Sequence, residues 1–194
     1  MKHPSNRDLF RYWNERRGNR LAPERSEIEP GEIRRVLGDT FVLEAGGLAR
    51  HRFRIAGTRL CALFGRELKA ESFVELWQLS DQAALREMIA VVMEEKAGIV
   101  ASVTSATAGD TLLPVKLEML LLPLTFESRA EARVLGALAP LSIPYWLGAK
   151  AIGPLALGMF RHVGAIDSTA PPRFKAAAGR LRHGLTVYDG GRTK

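Results

Sequence analysis

Four histidines, His3, His51, His162 and His183, are scattered along the chain, and none stands three or four residues from another. That spacing is what aims two imidazoles at one ion, so no metal site is predicted. The single cysteine, Cys61, excludes an internal disulfide and fits a reducing compartment. No Gly-x-Ser-x-Gly, no His-Glu-x-x-His and no phosphate-binding loop occurs. The carboxylates Asp39, Glu44, Glu67, Glu71 and Glu75 fall in one region, but no spacing pairs them, and they read as solvated turn and helix charges. Catalysis needs two convergent polar groups, so no catalytic residue and no enzyme is predicted. Arg52, Arg54, Arg59 and Arg66 form the remaining cluster. An arginine on a covered sheet face needs a carboxylate partner, so Arg52 and Arg54 predict a structural salt bridge, with an anionic ligand as the alternative.

These residues must be placed by the elements around them. Arg50 to Ala56 alternates, with the arginines on one face and His51, Phe53 and Ile55 on the other, which is the period of a half-buried strand. Gly57 breaks it, Thr58 can cap a helix, Leu60, Leu63 and Phe64 share a helical face, and Gly65 closes the turn. Upstream, Ser5 and Asp8 read as a capping box for a helix ending at Gly18. Its face of Leu9, Tyr12 and Trp13, with Phe10 beside them, must be buried on the sheet or on a second copy. A second helix is predicted from Pro30 to Gly38 on the stripe Ile33, Val36 and Leu37.

Strands are predicted at 40–44, 50–56, 99–107, 111–122 and 133–139, with hairpin turns at Gly46-Gly47 and Gly109-Asp110 and a polar loop at 127–131. A short helix at 71–77 carries Phe73, Leu76 and Trp77. A longer one at 81–96 carries Leu85, Met88, Ile89, Val92 and Met93. Leu120 and Leu122 are apolar on the outward set of their strand, so something covers them, and the aromatic N-terminal helix is the obvious cover. The order gives an α+β fold. It is a five-stranded antiparallel sheet with short helices and one long helix on one face, plus the N-terminal helix.

Four stretches carry a resemblance: Asp8-Leu9-Phe10-x-Tyr12-Trp13, Ala22-Pro23-x-Arg25-Ser26-x-Ile28-x-Pro30, Arg52-Phe53-Arg54-Ile55-Ala56-Gly57-Thr58 and Leu63-Phe64-Gly65-Arg66-Glu67-Leu68. Together they resemble a PAS domain and, more narrowly, a bacterial family of small, largely stand-alone PAS proteins, over residues 5–160. The resemblance implies a cavity between the sheet and residues 58–93. Its lining would be Phe53, Ile55, Leu60, Phe64, Trp77, Leu85, Ile89, Val103, Leu117 and Met119, and either a filled core or an apolar pocket fits that set. Haem-binding PAS domains present an axial histidine from the long helix, and 81–96 has none. Flavin-binding ones surround their cysteine with Asn-Cys-Arg-Phe-Leu-Gln, whereas here it is Leu60-Cys61-Ala62-Leu63-Phe64. Haem and flavin are both disfavoured, and no cofactor is predicted. The implied role is signal transduction by a non-catalytic sensor or adaptor. Its output would pass through a homodimer, with Leu9, Phe10, Tyr12, Trp13, Leu120 and Leu122 as docking or dimer residues, or through a regulatory protein partner.

The organisation predicted is N-terminal helices at 1–38, a core at 39–140, an apolar C-terminal arm at 141–166 and a basic, largely disordered tail at 167–194. Hydrophobic residues at 46% and charged ones at 25% suit one globular domain. The net charge of +7 is uneven: +3 over 1–35, −1 over 36–160 and +5 over 161–194. The core is near neutral, and the basic tail is the feature through which nucleic acid or an anionic membrane could be bound instead. Pro144, Pro154, Lys150 and the glycines break the apolar run at 141–163, which a spanning helix of ~20 apolar residues cannot tolerate. A segment lying on a membrane surface is the alternative to an arm packed on the domain. The Met-Lys-His-Pro-Ser start has no apolar stretch, so no signal peptide is predicted and the cytoplasm is expected.

Overall fold

The computed structural model describes residues 1–44, 51–107, 110–125, 133–143, 145–146 and 149–164. Helix α1 is Pro4–Arg17, strand β1 Thr40–Glu44, β2 Phe53–Ala56, α2 Thr58–Phe64, α3 Gln82–Glu95, β3 Gly98–Thr107, β4 Asp110–Leu124, β5 Arg133–Pro140 and β6 Ile152–Val163. The strands form one antiparallel sheet in the order β2-β1-β5-β4-β3-β6. Helices α2 and α3 wall its inner face, and α1 covers part of its outer face. Gly46-Gly47, Gly109, the loop at 127–131 and the tail from 167 lie outside the described residues.

Five strands are expected, and the sheet has six. The extra strand, β6, comes from the apolar stretch read as an arm. Proline is tolerated at a sheet edge, so Pro154 does not exclude a strand there. The alternation is hidden by a bulge: Phe160 pairs with Ala101 and Leu157 with Val103, so Gly158 and Met159 together face Ser102. Glycine is required, because a Cβ on Gly158 would stand 2.4 Å from Ser102 Oγ. Before the bulge, Leu155 and Leu157 point inward. After it, Phe160 packs inward while Met159 and Arg161 are exposed and Val163 joins the outer cluster.

A second bulge corrects the reading of β2. Ile55 pairs with Val42 and Phe53 with Leu43, leaving Arg54 as the extra residue. Phe53 is buried and Ala56 packs on the inner core, but Ile55 is 48% exposed.

The sheet is strongly curled, and the chain itself shows it. Phe73 N–H bonds to His51 O beside β2, and Gln78 N–H bonds to Leu155 O in β6, at opposite edges of the sheet. Those five residues include the 3-10 turn Val74–Leu76, so they span ~13 Å, and the two hydrogen bonds add ~6 Å. Six flat strands, with five spacings of ~4.8 Å, would hold those edges ~24 Å apart. One connecting segment therefore closes both edges of a half-barrel. Asp81 helps, accepting from Leu157 N–H at 2.8 Å. Covered edges are unavailable for indiscriminate strand pairing.

Two helix expectations change. The capping box at Ser5 and Asp8 does not form. Pro4 takes the first helical position and His3 caps, its Nδ1 accepting from Ser5 N–H at 3.2 Å. The Ser5 hydroxyl is thereby free to bond elsewhere. The helix at 30–38 is instead a run of turns ending in a 3-10 turn at Leu37–Asp39. Its bonds, such as Ile33 N–H to Pro30 O and Val36 N–H to Ile33 O, are three residues apart. That period stacks Ile33 over Val36, and both are buried.

Candidate functional site

The inner face is an aromatic and aliphatic interior. Phe41 and Phe53 meet edge to face at 5.6 Å, Phe53 and Phe73 at 5.5 Å, and Phe73 and Trp77 at 5.8 Å. Such edge-to-face contacts add to what burial alone gives. Phe41 lies over Gly136, where a Cβ would come 2.2 Å from its ring. Helix α2 contributes Leu60, Leu63 and Phe64 to this interior, and α3 contributes Leu85, Met88, Ile89 and Val92.

Of the ten residues expected to line a cavity, nine belong to this one buried cluster: Phe53, Leu60, Phe64, Trp77, Leu85, Ile89, Val103, Leu117 and Met119. Ile55 does not, because the β2 bulge turns it away. One polar atom in the interior is unanswered. The Trp77 indole N–H is buried, and among the described residues it has no hydrogen-bond partner. A buried donor left alone costs ~1–3 kcal/mol, so it marks a place where an acceptor would be welcome.

The outer face is held by direction rather than by volume alone. Leu9, Tyr12 and Trp13 are buried in one cluster with Leu120, Leu122, Leu135 and Ala137. Trp13 Nε1 donates to Pro123 O at 2.8 Å. Phe10 stacks on Trp13 at 6.1 Å and is only half-buried. Leu9, Trp13, Leu120 and Leu122 are fully covered within one chain, so a second copy could reach them only if α1 left the sheet.

Two carboxylates fix the start of α1. Glu118 Oε2 accepts from Lys2 N–H at 2.6 Å, and its Oε1 accepts from His3 N–H at 3.0 Å and Asn6 Nδ2 at 3.1 Å. Burial works against the charged form of Glu118. Those N–H donors and the positive chain start prevail and hold its carboxyl below the ordinary range. Asp39 is the second. It accepts from the Ser5 hydroxyl at 2.6 Å and from Arg59 Nε and Nη2, each at 2.8 Å. Ser5 belongs to α1 on the outer face and Arg59 to α2 on the inner face. One buried carboxylate thus joins the two layers at the end of the sheet. Gly57 permits it: a Cβ there would fall 2.1 Å from Leu37 O, so only glycine lets α2 start against the turn that carries Asp39.

The arginine cluster divides accordingly. Arg54 pairs with Glu44 at 3.2 Å and Arg66 with Glu71 at 3.0 Å, all at the surface, while Arg52 donates to Ala70 O. The buried bridge belongs to Arg59, and Asp39 is not a solvated turn charge. Aspartate just before a strand gives no pattern that separates the two roles. Its partner Arg59 stands 20 residues further along the chain, at no spacing that pairs the two. Burial raises the Cys61 thiol pKa, with Glu67 adding to the effect, which keeps it protonated and unreactive. Burial, with Arg86 nearby, lowers that of His51, which keeps it neutral at pH 7. Among the described residues no group of three or more His, Cys, Asp or Glu could hold a metal ion. No helix there is long and apolar enough to cross a membrane.

A curled antiparallel sheet whose concave face is walled by short helices and one long helix is the fold of the small sensory domains built around an interior cavity or core. Residues 1–139 match the family model described as PAS domain, and the chain belongs to that family. The match takes in α1 and stops before β6. A sensory or regulatory role follows from the family. Comparison with curated proteins finds no match.

Proposed function

We propose that this chain is a non-catalytic PAS sensor or adaptor, working in the cytoplasm, whose interior state is read at the outer face through α1. The observation that carries this is the Asp39 junction, where α2, which walls the interior, and α1, which lies outside, share one buried acceptor. A displacement of α2 alters the geometry at Arg59 and therefore at Ser5. The interior takes a small apolar molecule with one acceptor atom, met by the Trp77 N–H, and no haem or flavin. Output is by contact, to a second copy or a regulatory protein. The exposed apolar side chains Ile143 and Tyr145, the latter 98% exposed, are suited to that contact, and the face of α1 that is already buried is not.

The test is native mass spectrometry of the freshly purified full chain, which reports bound small molecule and oligomeric state together, joined to hydrogen exchange. Phe64→Ala loosens α2 from the interior. It is expected to speed exchange in α1, and Asp39→Asn is expected to abolish that effect. A bare monomer whose α1 amides ignore Phe64→Ala would end this reading.

A further inference from the structure

Part of the outer face is left open by α1. Between the start of α1 and the second half of β6 runs a groove of ≈ 400 Å³ bordered by Met1, Lys2, Val100, Leu141, Met159 and Arg161. It continues past Met1 and Arg161 to Arg7, Phe10 and His162. The β6 bulge makes it. Without the extra residue, the alternation from Leu155 and Leu157 would send Met159 into the core and Phe160 outward. With it, Met159 is 69% exposed and stands on the same face as Arg161. Leu141 is 40% exposed at the other bank. Exposed apolar side chains gathered in a mostly apolar groove of small-molecule size mark a binding site rather than scatter.

The rim sets the chemistry of the occupant. Lys2, Arg7 and Arg161 are exposed, and among the described residues none of them has an ion-pair partner. Glu118 borders the groove, but it is 7% exposed and both its oxygens are engaged by Lys2 N–H, His3 N–H and Asn6. The charge offered to an incoming molecule is therefore positive.

We infer that this groove binds a long-chain carboxylate, a free fatty-acid-type amphiphile, with its chain along Val100, Leu141 and Met159 and its head at Arg161 and Arg7. A guanidinium matches a carboxylate through paired N–H donors. The apolar floor excludes a bare anion as the favoured occupant, and the cationic rim excludes a neutral or cationic amphiphile. Met159 and Arg161 lie beyond the residues that the family match covers, and Ala101, Leu117 and Phe160, which border the groove too, belong to or pack on the inner cluster beneath it.

The five methionines make the two sites separable. Met1 and Met159 border the groove, and Met88 and Met119 lie in the interior. The full chain, labelled with 13C at the methionine methyls, is titrated with dodecanoate below its micelle concentration. The Met1 and Met159 signals are expected to shift and saturate while Met88 and Met119 stay in place. Dodecyltrimethylammonium should bind at least about tenfold more weakly. Combined Arg7→Glu and Arg161→Glu should weaken dodecanoate by about tenfold or more, with Met88 and Met119 signals unchanged as the check on folding. Shifts at Met88 and Met119 with Met159 unmoved would place the ligand in the interior and overturn this inference without touching the sensor reading. Equal binding of the cationic amphiphile, no shift at all, or retention on anionic phosphatidylglycerol vesicles without any response to monomeric dodecanoate would overturn it too.

Discussion

The two faces of the sheet solve the burial problem differently. The inner face meets α2 and α3 through aromatic and aliphatic contacts, and among the described residues it leaves the Trp77 indole N–H unanswered. The outer face meets α1 through an apolar patch framed by directed bonds, Trp13 to Pro123 O and the donors to Glu118 and Asp39. An interior held by dispersion tolerates repacking when its total volume is kept. A helix held by buried charge-assisted bonds has one register and one position. On the proposed reading, the first is the face whose contents change and the second is the face that reports the change.

The largest test of that contrast removes the outer anchor. Trp13 is fully buried, and Trp13→Ala leaves a cavity as well as an unanswered Pro123 O. The expected loss is ~3–5 kcal/mol, read by urea unfolding. A loss below about 1 kcal/mol would mean that α1 is a loose cover and that the two faces are not equally part of the fold.

Arg59→Ala and Arg54→Ala come next as a pair. Loss of Arg59 leaves a buried Asp39 whose remaining side-chain partner, among the described residues, is Ser5, while Arg54 parts from an exposed Glu44. Breaking a fully buried pair costs ~3–5 kcal/mol, but the Arg59 side chain is itself half-exposed, so about 2 kcal/mol is expected. Arg54→Ala should cost between about 0 and 1 kcal/mol. Equal losses would mean that the Asp39 bridge holds the fold no more firmly than a surface ion pair.

Sequence pattern reaches the inner face more readily than the outer one, and the reason is physical. Period-2 alternation in β4 separates Leu117 and Met119 from Glu118 and Leu120 because every residue of that stretch is paired in register. Alternation fails where a bulge adds a residue. Ile55 reads inward and lies outward, and β6 does not read as a strand at all, since Gly158 and Met159 share one partner. Only the close approach of Ser102 makes Gly158 necessary, and that is a contact 56 residues away in the chain. The polar bonds are less legible still. Asp39 and Glu118 differ from surface carboxylates only in what folds over them. Ser5 and Asp8 match a capping box, yet Pro4 and His3 take the helix start and Ser5 serves Asp39 instead.

Glu118→Gln is a smaller test, and pH reads it. The folded pKa of Glu118 is depressed, so its contribution is fully present above the unfolded-state value and is lost as pH falls through the folded value. At pH 7 the substitution replaces one charged acceptor of the Lys2 and His3 N–H groups with a neutral amide, at a cost of about 1–2 kcal/mol. Below the folded pKa the natural residue is neutral too, and the two stabilities should converge. A constant gap between them from neutral to acid pH would show that the charge of Glu118 contributes nothing to holding α1.

The smallest expected effect is on the inner face, and it decides the most. Trp13 and Trp77 are both buried indoles, but among the described residues an acceptor meets Trp13 and none meets Trp77, so replacing each by phenylalanine compares a satisfied N–H with an orphan. Both substitutions lose ring volume. Trp13→Phe also strands Pro123 O, whereas Trp77→Phe removes a donor whose burial costs ~1–3 kcal/mol when unpaired. For Trp77 the two terms oppose each other, and the net change in stability should stay within about 1 kcal/mol, well short of the Trp13→Phe loss. The same variant sharpens the proposed interior site. If a molecule that co-purifies with the full chain is held through the Trp77 N–H, native mass spectra of Trp77→Phe should show it depleted while the fold persists. A loss of stability matching that of Trp13→Phe, with no molecule bound to either protein, would mean that the Trp77 N–H is already satisfied within the fold. The inner face would then be as directed as the outer one, and the contrast between them would fall.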